Sequence, residues 1–249
     1  MIEILEQQIW QGYSVEKLRI TGVNGNRVPC NCIWPKDRTL PVPYMITTHG
    51  ATSSKHEWTE MDGYTKGGNI TQELVAKGIA VIAMDLHFHG DNNTQNMGNL
   101  NVFSEDNWDV FFSRSITDIH TVLNHFAQDP SCDSSRMGFA GYSLAGIFGF
   151  WLANRGAPFT TMLLCVPSVD RNQNKPYATF NNLDNLKNLS ILQVSAEEDE
   201  YVPFAEAKWL FEQIPLTRKR FLSFKSGHSL PADYVPEAVA WIHSQLNPQ

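Results

Sequence analysis

The stretch Arg136-Met137-Gly138-Phe139-Ala140-Gly141-Tyr142-Ser143-Leu144-Ala145-Gly146-Ile147-Phe148-Gly149-Phe150-Trp151-Leu152-Ala153 constrains this chain more than any other. Residues 137–140 are a short apolar run of the kind that forms a buried strand, and the apolar residues after Ser143 have helical length. Ser143 stands between them with small second neighbours on both sides, Gly141 and Ala145. A serine on so sharp a strand-to-helix turn must take strained backbone angles, so the residues two away have to be small. Its Oγ is expected to stand clear of the sheet, while the first N–H groups of the new helix aim at whatever it attacks.

A chain of 249 residues can bury a sizeable core, and this length suits one α/β domain, 1–249, better than two. A formal charge of −7 leaves no basic stripe for nucleic acid or anionic lipid, so neither is expected as a partner. No apolar run reaches the length of a membrane span. The opening Met1-Ile2-Glu3-Ile4-Leu5-Glu6 lacks the basic region of a secretory leader. Cys30 and Cys32 alternate on one strand face, and Cys132 and Cys165 stand alone, which is no zinc spacing. Reduced thiols and a cytoplasmic location are the expectation.

In chain order, the first dozen residues suggest a short amphipathic helix through Ile2, Leu5 and Ile9. Two strands follow, 15–21 and 27–34, joined through the hairpin signal Asn24-Gly25. A strand over 44–48 ends in His49-Gly50-Ala51. The pattern then predicts a helix over 70–77, a strand over 79–84 closed by Asp85, a long Asn-, Asp- and Gly-rich loop over 86–107, and a helix over 113–128. Beyond Ser143 come a strand over 161–166, a polar connection over 167–189, and a strand over 191–195. A helix over 204–214 opened by Pro203 follows, then a strand over 220–224 and a last helix over 236–246. Strands alternating with helices of ten or more residues predict an α/β fold. Its sheet should be doubly wound and mostly parallel, with an antiparallel start and helices on both faces.

The serine turn resembles the nucleophile elbow of the α/β-hydrolase superfamily, whose usual form is G-x-S-x-G; here Ala145 stands at the last position and Gly146 follows it. The resemblance implies the order serine, acid, histidine, each on a loop at the carboxyl end of a strand. A serine hydroxyl needs a base to attack a carbonyl, and the base needs an orienting carboxylate. Only His228 and His243 follow every plausible acid, and His243 falls within the terminal helix, so His228 is the expected base. The acid is expected among Glu197, Glu198, Asp199 and Glu200. Asp199, a few residues before Val202-Pro203, leads as in the family, with Glu198 next. The same resemblance assigns the oxyanion donors to the backbone N–H groups of Leu144 and Ala51. His49 reads as a structural turn residue. Asp85-x-x-x-His89-Gly90 is similar to the family's loop after the fourth strand, which braces the site without reacting.

Two other readings stand beside this one. His87-x-His89-x-Asp91 resembles the opening of the metallo-β-lactamase zinc motif, although Asn92 occupies the place of its final histidine. A non-catalytic binding member of the same fold is the other, yet such proteins usually lack a triad residue and none is missing here. The serine reading needs no cofactor and no metal. About twenty residues between the strands flanking 167–189 are too few for a large helical cap. The chain therefore looks most like small uncapped serine esterases and the dienelactone-hydrolase-like branch, acting on small soluble esters with short acyl groups. Trp58, Phe88, Phe103, Trp108 and Val202 are expected on loops that could line the pocket.

Overall fold

The computed structural model describes residues 1–36, 39–93, 104–172, 174–175, 177–179, 181 and 183–247. Among these, nine strands form one open sheet: β1 (Ile2–Trp10), β2 (Tyr13–Thr21), β3 (Arg27–Trp34), β4 (Val42–Thr48), β5 (Ala80–Met84), β6 (Cys132–Tyr142), β7 (Thr161–Cys165), β8 (Ser190–Ala196) and β9 (Lys219–Phe224). The helices between them are α1 (Gly67–Ala76), α2 (Glu105–Phe126), α3 (Ala145–Ala153), α4 (Phe204–Gln213) and α5 (Tyr234–Leu246). The strand order is β1-β2-β3-β5-β4-β6-β7-β8-β9. From β5 to β9 every neighbouring pair is parallel; β1, β2 and β3 join antiparallel, as the alternation of elements predicts.

Successive side chains of a strand point to opposite faces, and here each face buries its own core. Tyr44, Ile46, Ile82, Met137, Phe139 and Leu164 pack against α2, α3 and α4. Met45, Val81, Ala83, Ala140, Leu163 and Val194 pack against α1 and α5. Strands buried on both sides read as continuous apolar runs, which is why β4, β5, β7 and β8 are visible in the sequence.

The order β5-β4-β6 places the topological switch between β4 and β6. The chain leaves β4 toward one side and enters β6 from the other, so the loops beyond these two strands diverge and leave a crevice. Thr48 is paired with Gly141, which brings the ends of β4 and β6 to one level.

Three expectations need correction. Residues 2–10 are strand β1, not a helix, paired antiparallel with β2 from Ile2↔Ile20 to Trp10↔Tyr13. The turn is Gln11-Gly12 with φ of 48° and 80°, the primed hairpin geometry that suits a two-residue connection. Next, α2 starts at Glu105, not at 113, because Trp108, Phe111 and Phe112 extend its buried stripe by two turns. Trp108 is therefore helical, and Trp58 sits in the 3-10 turn Lys55–Trp58. Phe103 lies outside the described residues. Finally, Pro203, expected as the first helical residue, occupies the cap position before α4, its carbonyl accepting the N–H groups of Glu206 and Ala207.

Phe139 is fully buried in β6, its ring 5.3 Å from that of Phe159. Phe139→Ala is expected to lower stability by about 3–5 kcal/mol, read from urea unfolding. A loss below about 1 kcal/mol would contradict this packing.

Candidate active site

At the end of β6 the chain turns so sharply that Ser143 adopts φ 53°, the left-handed region a non-glycine residue rarely enters. The N–H of Ser143 donates to the Cys165 carbonyl at 2.8 Å, and its own carbonyl accepts from Gly146 at 2.9 Å and Ser168 at 3.1 Å. A Cβ on Gly141 would meet the Cβ of Ala145 at 2.9 Å, and one on Gly146 would meet that of Pro167 at 2.5 Å. The methyl of Ala145 is thus accommodated because Gly141 has no side chain. Leu144 is the cap residue before α3, at the helix end where N–H groups have no intrahelical acceptor. Across the crevice, a Cβ on Gly50 would lie 3.8 Å from the Ser143 Cβ, so the turn after β4 faces the serine.

His228 lies between β9 and α5. Its Nδ1 contacts both carboxylate oxygens of Asp199, at 2.9 and 2.8 Å. Asp199, 1% exposed at its side chain, also accepts the N–H groups of Tyr201 and Val202, at 2.9 and 2.8 Å. The carboxylate is held in place, and through Nδ1 the imidazole with it. Glu198 instead points outward beside Lys225, at 3.9 Å. Glu197 accepts from the Ser223 hydroxyl. Two positioning groups escape the sequence reading. Tyr142 donates its hydroxyl to the His228 carbonyl at 2.5 Å and accepts the Leu230 N–H. Glu200 accepts the His228 N–H at 2.9 Å, and that bond holds its carboxyl below the usual carboxylate range. These contacts join residues far apart in sequence, and only the run of four acids hinted at them.

The turn carrying Ala51 is braced from below. Asp85 is fully buried and accepts from Lys55 twice, from its N–H at 2.7 Å and its Nζ at 2.6 Å, and from the Asp91 N–H at 2.9 Å. Lys55 Nζ also reaches Asp91 at 2.7 Å. Gly90, at φ 49°, is required here, because a Cβ would strike the Asp85 carboxylate. His49 donates through Nδ1 to the Gly50 carbonyl and accepts the Leu86 N–H at Nε2. Burial, and then the neighbouring His89, push its pKa down to about 3, so it stays neutral.

The three side chains of the zinc-like pattern are committed elsewhere. His87 lies against Asp118 and Arg114, His89 faces the carbonyls of His87 and Ala51, and Asp91 pairs with Lys55. Among the described residues, no group of three or more His, Cys, Asp and Glu is arranged to hold a metal ion. Ser168, Val169 and Tyr177 wall a cavity of about 460 Å³ whose other side is Leu144, Ile147 and Trp108. Among the described residues no helix is long and apolar enough to cross a membrane.

A family model described as Acetyl xylan esterase (AXE1) matches residues 6–157. Among solved structures, the chain is similar to a cold-adapted esterase from an Arctic intertidal metagenomic library, with TM-score 0.76 and 16% identity over 98% of each chain. It is also similar to Acetyl Xylan Esterase 1 from Thermoanaerobacterium sp. JW/SL YS485, with TM-score 0.75 and 18% identity over 99% of this chain and 88% of that one. For a dienelactone hydrolase from Anabaena variabilis ATCC 29413 the values are 0.68 and 15%, over 94% and 96%. No curated protein matches the chain in sequence. At these identities the structural likeness speaks for the fold, that of the α/β-hydrolase superfamily.

The brace makes a stability prediction. Lys55→Met strands the buried Asp85 carboxylate without its cation and is expected to cost about 3–5 kcal/mol. Urea denaturation reads the loss; an unchanged midpoint would mean the pair carries no weight.

Proposed function

Because the chain belongs to the Acetyl xylan esterase (AXE1) family and is a carboxylic ester hydrolase, we propose that it works through an acyl-enzyme on Ser143, with His228 as general base and Asp199 as the orienting carboxylate. The observation that carries this reading is the paired contact of Asp199 with His228 Nδ1, beside a serine held at φ 53°. With Nδ1–H given to Asp199, Nε2 is the basic nitrogen. It takes the Ser143 proton as Oγ bonds to the ester carbon. The carbonyl oxygen becomes an oxyanion facing the N–H groups of Ala51 and Leu144. Collapse breaks the bond to the alcohol oxygen, which leaves with the proton from His228. A water then repeats the sequence and frees the acid.

The substrates we assign are small dissolved esters with short acyl groups, acetyl among them. Support comes from the segment between β7 and β8. Its described residues carry one short helical turn, Leu183–Asn185, and no helical cap. Arg171 of that segment is tied to α4, stacked over Trp209 at 3.8 Å and paired with Glu206 at 2.6 Å. A segment anchored in this way is a wall, not a lid that opens on a lipid surface.

In p-nitrophenyl acetate hydrolysis, Ser143→Ala should abolish turnover while the fold persists, and labelling by a fluorophosphonate should vanish with it. His228→Ala is expected to lower kcat by about 10⁴-fold or more, and Asp199→Asn severely, with Glu198→Gln close to the parent. A folded Ser143→Ala variant with undiminished turnover would falsify the assignment. Across acetyl to palmitoyl esters, the rate should favour the shortest chains and show no jump at the solubility limit. A jump, or a preference for long chains, would sink the substrate assignment.

A further inference from the structure

The 3-10 turn that carries Lys55 also carries Glu57, a carboxyl that the triad does not use. Its Oε2 accepts the N–H of Gly50 at 3.5 Å. Gly50 directly precedes Ala51 and faces Ser143 across the crevice. Ser53, just before the 3-10 turn, adds a hydroxyl donor to this carboxyl. The Glu57 backbone cannot retreat. Its carbonyl fills the space a Cβ would need on Gly67, at the start of α1, and Lys55 two residues earlier is locked to Asp85. The side chain is thus wedged beneath the turn that presents the Ala51 N–H.

We propose that Glu57 is a positioning residue of the oxyanion hole that works as the neutral acid. Through the Gly50 N–H it holds the His49–Ala51 turn, and its ionisation sets negative charge beside the developing oxyanion. This rests on the assignment of Ser143 as nucleophile and Ala51 N–H as oxyanion donor.

The surroundings favour the neutral form. Burial, above all, pushes the Glu57 carboxyl up to about 7; the Ser53 hydroxyl and the Gly50 N–H, as donors, pull it down and are outweighed, and Glu60 on the same segment adds to the rise. Its charge is also felt by Tyr64 from the next loop, Tyr142 from the end of β6 and Tyr234 from α5, while His56 precedes it on the same 3-10 turn. His49 is neutral, and Lys55 is spent on Asp85 and Asp91. The sign follows. Below about 7 the carboxyl is uncharged and the hole accepts an oxyanion; above it, a carboxylate opposes the charge formed on the substrate.

The test is the pH dependence of kcat/KM on p-nitrophenyl acetate for the parent, Glu57→Gln and Ser143→Ala. The ratio of Glu57→Gln to parent is expected to rise by about tenfold or more between about pH 6 and about pH 9, because glutamine cannot ionise. A ratio that stays flat would overturn the proposal. A purely structural role for Glu57 would shift the ratio by one factor at every pH. Should Glu57→Gln fail to fold, the parent alone suffices. A methyl trifluoromethyl ketone forms an oxyanion adduct with a serine, and its Ki should climb about tenfold per pH unit above about pH 7. A Ki independent of pH in that range would overturn the proposal as well. Turnover surviving in Ser143→Ala would instead remove the nucleophile assignment beneath it, so the two failures are told apart.

Discussion

A non-glycine residue held at φ 53° costs about 1–3 kcal/mol, and it persists only where the surrounding structure over-determines it. At Ser143 the determination comes from three directions. β7 fixes its N–H through the Cys165 carbonyl, while Gly146 and Ser168 fix its carbonyl. The close approach of Gly141 to Ala145, and of Gly146 to Pro167, leaves no room for the turn to relax. The strain is therefore stored by packing that a small-residue pattern makes possible, which would hold the proposed nucleophile rigidly. Rigidity matters because a misplacement of about 1 Å can cost on the order of 10²-fold in rate.

The same constraint organises the neighbouring turn. β4 and β6 are adjacent and their ends level, so the turn after β4 must run beside Ser143 without side-chain bulk, and Gly50 meets that need. Ala51 packs against the core, and polar groups fix the turn's direction: Lys55 on Asp85, Asp91 on Lys55, His89 on the Ala51 carbonyl and His49 on Leu86. Burying an ion pair gains little net stability over apolar residues of the same shape, but it fixes direction, and losing one partner is costly. In the proposed site a directional brace sits beside the Ala51 N–H assigned to the oxyanion.

Local pattern made much of this legible. The elbow, the central strands and the aspartate before Val202-Pro203 are runs of neighbouring residues whose periodicity or turn chemistry is physical in itself. The misses have physical causes. β1 is an edge strand exposed along almost its whole length, so its apolar residues follow no burial period, and the informative signal was the Gln11-Gly12 turn. The first turns of α2 follow an Asn- and Asp-rich stretch, yet Trp108, Phe111 and Phe112 already stand at helical spacing. Tyr142 and Glu200 are different. Their hold on His228 joins residues 86 and 28 positions apart, and no local pattern encodes it.

The four consecutive acids after β8 show how such a contact is selected. Glu197 turns to Ser223, Glu198 to Lys225, Asp199 to His228 Nδ1 and Glu200 to the His228 N–H. Only Asp199 is buried at its side chain, and only it is fixed by two backbone donors while it faces the ring. A shorter carboxylate suits this place, because the loop itself supplies the reach. In the proposed attack, positive charge develops on His228 and negative charge on the substrate oxygen. The first faces the carboxylates of Asp199 and Glu200; the second faces backbone N–H groups and the start of α3. In this proposal the carboxylates serve the histidine end of the forming ion pair and the N–H donors serve the substrate end. An extra negative charge is tolerable on the histidine side of that divide and harmful on the other. Glu57, through its bond to the Gly50 N–H, is proposed to act on the other.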